Sequence, residues 1–173
     1  MRGNMSGFVK PVLLIILIVA LVITLAFVVA GSMGGDKTLG DAVDFTATDM
    51  DGKPFTLSQN YAGGTALVFF DLSQGDGKAL LTNLAAADQG TSVHTVLIAI
   101  GESQEIKKHL AENKLTADVV IADPKAEIAT LYNVTTCPVT YFIDGDGQVR
   151  AVSLSNLTPS AAQKYISYIQ NNR

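Results

Sequence analysis

The chain has 173 residues, a net charge of −4 and a sequence pI near 5.0, with hydrophobic residues at 48%. That length suits one domain plus an appendage, and an acidic balance without a Lys/Arg cluster argues against nucleic acid as a partner. A single cysteine, Cys137, excludes an intramolecular disulfide.

From Val12 to Ala30 the chain carries no charge, and only Thr24 is polar. As a helix this stretch spans about 28 Å, close to the ~30 Å of a hydrocarbon core. It is longer than the roughly 7–15 apolar residues of a cleavable signal peptide. Residues 12–30 are expected to form an uncleaved transmembrane anchor, with cleavage near Val28-Val29-Ala30 as the alternative. Arg2 and Lys10 precede the span without a neighbouring acid, whereas Asp36 and Lys37 follow it. The positive-inside rule then places residues 1–11 in the cytoplasm and the rest of the chain outside. Glycine-rich residues 31–40 read as a flexible linker, and 41–173 as the folded domain.

Asp44–Thr48 and Pro54–Leu57 flank Asp49-Met50-Asp51-Gly52, a hairpin by turn chemistry. Ala66–Phe70 is an unbroken apolar run, as a central strand covered on both faces requires. Leu80, Leu81, Leu84 and Ala85 recur at helical spacing, ending in polar Asp88-Gln89-Gly90. Thr95–Ile100 is a second buried strand. Ser103 is placed to cap a helix that turns Ile106 and Leu110 inward and Lys107, Lys108 and Glu112 to water. Val119–Ala122 is a third strand. Asp123-Pro124 then joins a cap to a first-turn proline, opening a helix through Leu131.

The strand Val139–Ile143 follows Pro138, which lacks a ladder donor and so belongs at a strand's start or edge. Asp144-Gly145-Asp146-Gly147 is a tight turn into the strand Val149–Leu154. Thr158-Pro159 repeats the cap-plus-proline device before a helix with Ala162, Tyr165, Ile166 and Ile169 on one face. Strands alternating with helices, closed by a hairpin and a helix, give an α/β three-layer sandwich, with the first buried strands parallel through right-handed crossovers.

The order Asp44-Phe45-Thr46, Asp51-Gly52-Lys53, Leu57-Ser58, Leu67-Val68-Phe69-Phe70, Asp123-Pro124, Tyr132-Asn133-Val134 and Pro138…Ile143-Asp144 resembles the thioredoxin superfamily. The nearest likeness is its membrane-anchored thiol–disulfide oxidoreductase and redoxin branch (alkyl hydroperoxide reductase and thiol-specific antioxidant proteins), and it covers roughly Asp41 to the C-terminus. The resemblance implies a thioredoxin-like fold with a central mixed sheet and flanking helices. It also implies a cis peptide at Pro138, in one wall of the active site.

In that branch a Cys-x-x-Cys opens the first helix, where the helix dipole favours a thiolate. The corresponding positions here are Gln74-Gly75-Asp76-Gly77, without either thiol, and Asp76 reads as an ordinary helix cap. A dithiol exchange cycle needs both an attacking and a resolving thiol. The peroxidase route likewise lacks its nucleophile between Asp71 and Gly77.

Three functions stay open. The leading one is a dithiol-less binding or accessory module, in which Gln74, Gly75, Asp76, Gly77, Thr136 and Pro138 form a groove for an extended peptide. In the second, Cys137 is catalytic: a single thiol, activated by the helix end and by Lys78, acting on a thiol-containing protein or a peroxide. Against that stands the ordinary fate of a free cysteine, a small buried apolar residue. The third is a structural membrane component, favoured where side chains close the groove. No cofactor is implied and no metal constellation is present: His94 and His109 lack ligand spacing, and Asp144–Gly147 lacks the distal glutamate of a calcium loop.

Overall fold

A computed structural model describes residues 38–75 and 77–171. The expected anchor at 12–30, the N-terminal segment, the linker up to residue 37 and Asp76 lie outside the described residues. Among the described residues no helix is long and apolar enough to cross a membrane.

The core is a five-stranded mixed sheet in the order β5-β4-β3-β6-β7. Its strands are β3 (Thr65–Asp71), β4 (His94–Ile100), β5 (Val119–Ala122), β6 (Val139–Ile143) and β7 (Val149–Ser153). β3, β4 and β5 run parallel, while β6 and β7 are antiparallel additions. The parallel central strands are buried on both faces, which explains why β3 and β4 read as continuous apolar runs.

Side chains alternate across the sheet. Ala66, Val68 and Phe70 pack with Leu80, Leu81 and Leu84 of α1 (Lys78–Ala87), Ile106 of α2 (Ser103–Asn113), and Ala162, Ile166 and Ile169 of α4 (Pro159–Asn171). Leu67 and Phe69 pack on the other face with Ala129 of α3 (Glu127–Leu131) and with Tyr132. Phe55 of the hairpin β1 (Thr46–Thr48) and β2 (Pro54–Thr56) covers the same face. This is the expected three-layer α/β arrangement.

Three helix starts differ from expectation. Gly77, not Asp76, is the residue at the N-cap of α1, and its φ of 59° is left-handed. A Cβ there would stand 2.6 Å from the ring of Phe70, so close approach of the strand demands glycine. Ser103 is already helical, and no side chain caps α2; the extended residue before it is Glu102. α3 begins only at Glu127, because Ala126 takes a left-handed φ of 53° after the turn that Pro124 opens. Asp123 still serves as a cap at a distance. Its carboxylate accepts the N–H groups of Glu127 at 2.8 Å and Ala129 at 2.9 Å, two of the donors a helix start leaves open. At α4 the expectation holds, with Thr158 Oγ1 accepting from Ala161 N at 3.3 Å ahead of Pro159.

Both outer strands of the sheet meet other parts of the chain. Leu39 N donates to Val149 O at 2.7 Å and Val149 N donates to Gly40 O at 2.9 Å, so Thr38–Ala42 pairs with residues 147–149, where the chain enters β7. At the opposite margin, Met50 N at the hairpin tip donates to Val120 O of β5 at 2.8 Å. At the β6–β7 turn, Asp144 is fully buried and receives Arg150 Nε at 2.5 Å, together with the N–H groups of Asp146 and Gln148.

Candidate functional site

β3 is a seven-residue strand whose last member, Asp71, is its first polar side chain after Thr65. It stands at the carboxyl end of a parallel strand, where open α/β sheets place their ligands. Buried apolar neighbours hold the strand, and the chain turns immediately beyond it: Gln74 N donates to Asp71 O at 3.0 Å. The Asp71 carboxylate organises that turn. Oδ1 accepts from Ser73 N at 2.8 Å and Ser73 Oγ at 2.7 Å, and Oδ2 accepts from Gln74 Nε2 at 2.7 Å. Burial alone would raise the Asp71 pKa, but the hydrogen bonds from Ser73 and Gln74 prevail and hold it below the ordinary carboxylate value.

Facing this turn is the entry to β6, where the Cys137–Pro138 peptide is cis, as the resemblance implies. A hydrogen bond joins the two walls: Cys137 N donates to Gln74 Oε1 at 2.8 Å. A pocket of about 90 Å³ lies between them, lined by Phe70, Asp71, Gln74, Gly75, Gly77, Cys137, Pro138 and Asn156. Five residues singled out in the sequence, Gln74, Gly75, Gly77, Cys137 and Pro138, are thus brought together. Thr136 is exposed and does not line the pocket, and Asp76 lies outside the described residues.

Phe70, Asp71 and Asn156 were not anticipated as groove residues. Asp71 had a signal in the sequence, a lone carboxylate closing an unbroken apolar strand. Phe70 reads only as core, and Asn156 arrives from the loop after β7 with no local motif to mark it.

The thiol of Cys137 is half-buried. Burial, and then the negative charge of Asp71, push its pKa from 9.0 up to about 11. Activation of this thiol calls for a positive neighbour. The dominant neighbouring charge has the opposite sign. The ring of His109, partly buried, lies 5.6 Å from that of Phe70. A larger open hollow of about 520 Å³ sits at the other end of the sheet, lined by Gly63, Ser92, His94 and Asp146 among others. It is remote from the carboxyl ends of the parallel strands. Among the described residues no group of three or more His, Cys, Asp or Glu could hold a metal ion.

Residues 39–152, well over half of the chain, match the AhpC/TSA family. The chain belongs to that family. This AhpC/TSA chain is 24% identical over 173 residues to thiol-disulfide oxidoreductase ResA of Bacillus subtilis (strain 168), covering 98% of this chain and 97% of that protein. Its fold is similar to that of a thiol:disulfide interchange protein of the thioredoxin family from Chlorobium tepidum TLS. There the TM-score is 0.66 at 16% identity, over 80% of this chain and 100% of the other. StoA from Bacillus subtilis is also similar, with a TM-score of 0.60 at 19% identity over 71% of this chain and 96% of the other. The thioredoxin-like fold and the redoxin kinship read from the segment order are both confirmed. The AhpC/TSA assignment does not restore the missing thiols: the chain has one cysteine, and it stands beside Pro138.

Proposed function

We propose that this protein is a membrane-tethered, extracytoplasmic thioredoxin-like domain that binds an extended peptide segment of a partner and does not turn over thiols. One observation carries the proposal. The chain's single thiol, at Cys137, is pushed up to about 11 by burial and by Asp71, and by the resemblance Gln74 takes the position of the attacking thiol. A thiol so far above neutral pH supplies almost no thiolate, and the thiolate is the nucleophile. The groove nevertheless persists, with backbone and side-chain polar groups on both walls, which suits strand-like capture of a peptide. Tethering is supported by the apolar stretch Val12–Ala30.

The backbone beside Pro138 carries a donor and an acceptor that could serve such pairing. The donor of Cys137 is already engaged by Gln74, so a ligand has to compete for it.

The test uses the full-length protein in detergent. Disulfide reduction and peroxide consumption are measured against Cys137→Ser, and displayed random peptides are selected on the same preparation. The expected result is no turnover above the Cys137→Ser background, together with enriched peptides that Asn156→Trp, at the exposed rim of the pocket, no longer captures. Turnover that disappears with Cys137→Ser would overturn the proposal in favour of a single-cysteine oxidoreductase or antioxidant.

A further inference from the structure

The side-chain carboxamide of Gln74 makes two contacts at once. Its Oε1 takes the N–H of Cys137 at 2.8 Å, and its Nε2 gives a hydrogen to Asp71 Oδ2 at 2.7 Å. The network fixes the orientation of the amide, because a backbone N–H needs an acceptor and a carboxylate held below its ordinary pKa needs a donor. The two groups are therefore a matched pair, one donor and one acceptor, set apart by the width of a single amide. A residue in an extended peptide presents its own N–H and C=O along one edge, and a primary carboxamide does the same. Gln74 is itself solvent-exposed, so its side chain can swing out without opening the core.

From this geometry we propose that Gln74 is a displaceable internal occupant of the groove, filling a two-point amide site on Cys137 N–H and Asp71 that a partner's amide edge takes over on binding. The proposal rests on the binding-module function above and names the chemistry of its ligand. Occupied by Gln74, the site is self-satisfied and closed to weak competitors. A partner has to supply both a C=O and an N–H, since either contact alone leaves the other group unpaired. Isolated hydrophobic or purely cationic groups do not qualify. The groove at Cys137 is thus selective for amide-bearing segments even before any side-chain pocket is considered.

The experiment follows the backbone amide of Cys137 by hydrogen exchange and nitrogen chemical shift in the full-length protein and in Gln74→Ala. Loss of one net hydrogen bond should speed exchange about two- to tenfold. Two amide probes are then added: propionamide, which reproduces the glutamine side chain, and N-acetylglycine N-methylamide, which reproduces an extended residue. At least one probe should restore protection in Gln74→Ala and leave the wild type unchanged, and a probe that alone restores it identifies the source of the natural amide. Gln74→Glu serves as a second variant. Its carboxylate faces Asp71, so protection should be kept at acidic pH and lost as the introduced acid ionises. Unchanged exchange in Gln74→Ala, or exposure that neither probe reverses, would overturn the proposal. If the amide is freed and refilled as expected but no displayed peptide binds either protein, the two-point site stands and the binding-module function falls.

Discussion

At the scale of single residues, one carboxylate accounts for most of the groove's chemistry. Asp71 shapes the turn through Ser73, holds Gln74 across the gap, and opposes ionisation of Cys137. Its effect on the thiol has a definite sign. Burial raises the thiol's pKa most, and a negative neighbour adds to it by disfavouring a second negative charge, so the thiol stays protonated until pH rises toward about 11. Alkylation of Cys137 by iodoacetamide should therefore keep accelerating beyond pH 10, where an ordinary thiol of pKa about 8.5 has levelled off. Asp71→Asn should move that profile to lower pH and make the thiol react faster at pH 8. An alkylation curve that levels off near pH 8 in the wild type would contradict this electrostatic account.

At the scale of elements, strands were more legible than helix starts. β5 and β6 coincide with the expected Val119–Ala122 and Val139–Ile143, because both are short runs dominated by β-branched and aromatic residues, bounded by proline, aspartate and turn residues. A helix start depends on backbone conformation as well as on a capping residue. The α1 start is decided by the ring of Phe70, seven residues away in sequence, which leaves no room for a Cβ at position 77. Gly77→Ala combines that overlap with a left-handed φ, and should lower stability by about 1–3 kcal/mol, read as a fall in the urea midpoint. Asp123 illustrates the reverse case. The residue type was legible as a cap, but its reach across the Ala126 kink was not. Asp123→Ala removes two charge-assisted acceptors from α3 and should cost about 1–3 kcal/mol, by the same measurement. The groove was half legible for a similar reason: Gln74, Gly75, Gly77, Cys137 and Pro138 lie in two local motifs, whereas Asn156 reaches it only through the β6–β7 hairpin.

At the scale of the whole domain, the two faces of the sheet have separate apolar cores, and the polar anchor of the antiparallel half is the Asp144–Arg150 pair. Asp144 is fully buried while Arg150 is nearly so. Removing the cation strands a charge in the interior, and breaking such a pair costs about 3–5 kcal/mol. Arg150→Leu should approach the lower end of that range, since Asp146 and Gln148 N–H groups remain on the carboxylate. A thermal midpoint unchanged by the substitution would show that the pair is dispensable.

The strap formed by Thr38–Ala42 has a further bearing on how molecules of this protein tolerate one another. Backbone groups on an uncovered outer strand invite a neighbour's strand. By laying Thr38–Ala42 against residues 147–149, the chain shields the start of this outer strand from cross-molecular pairing. A version beginning at Val43 should therefore self-associate in light scattering at concentrations where one beginning at Thr38 remains monodisperse.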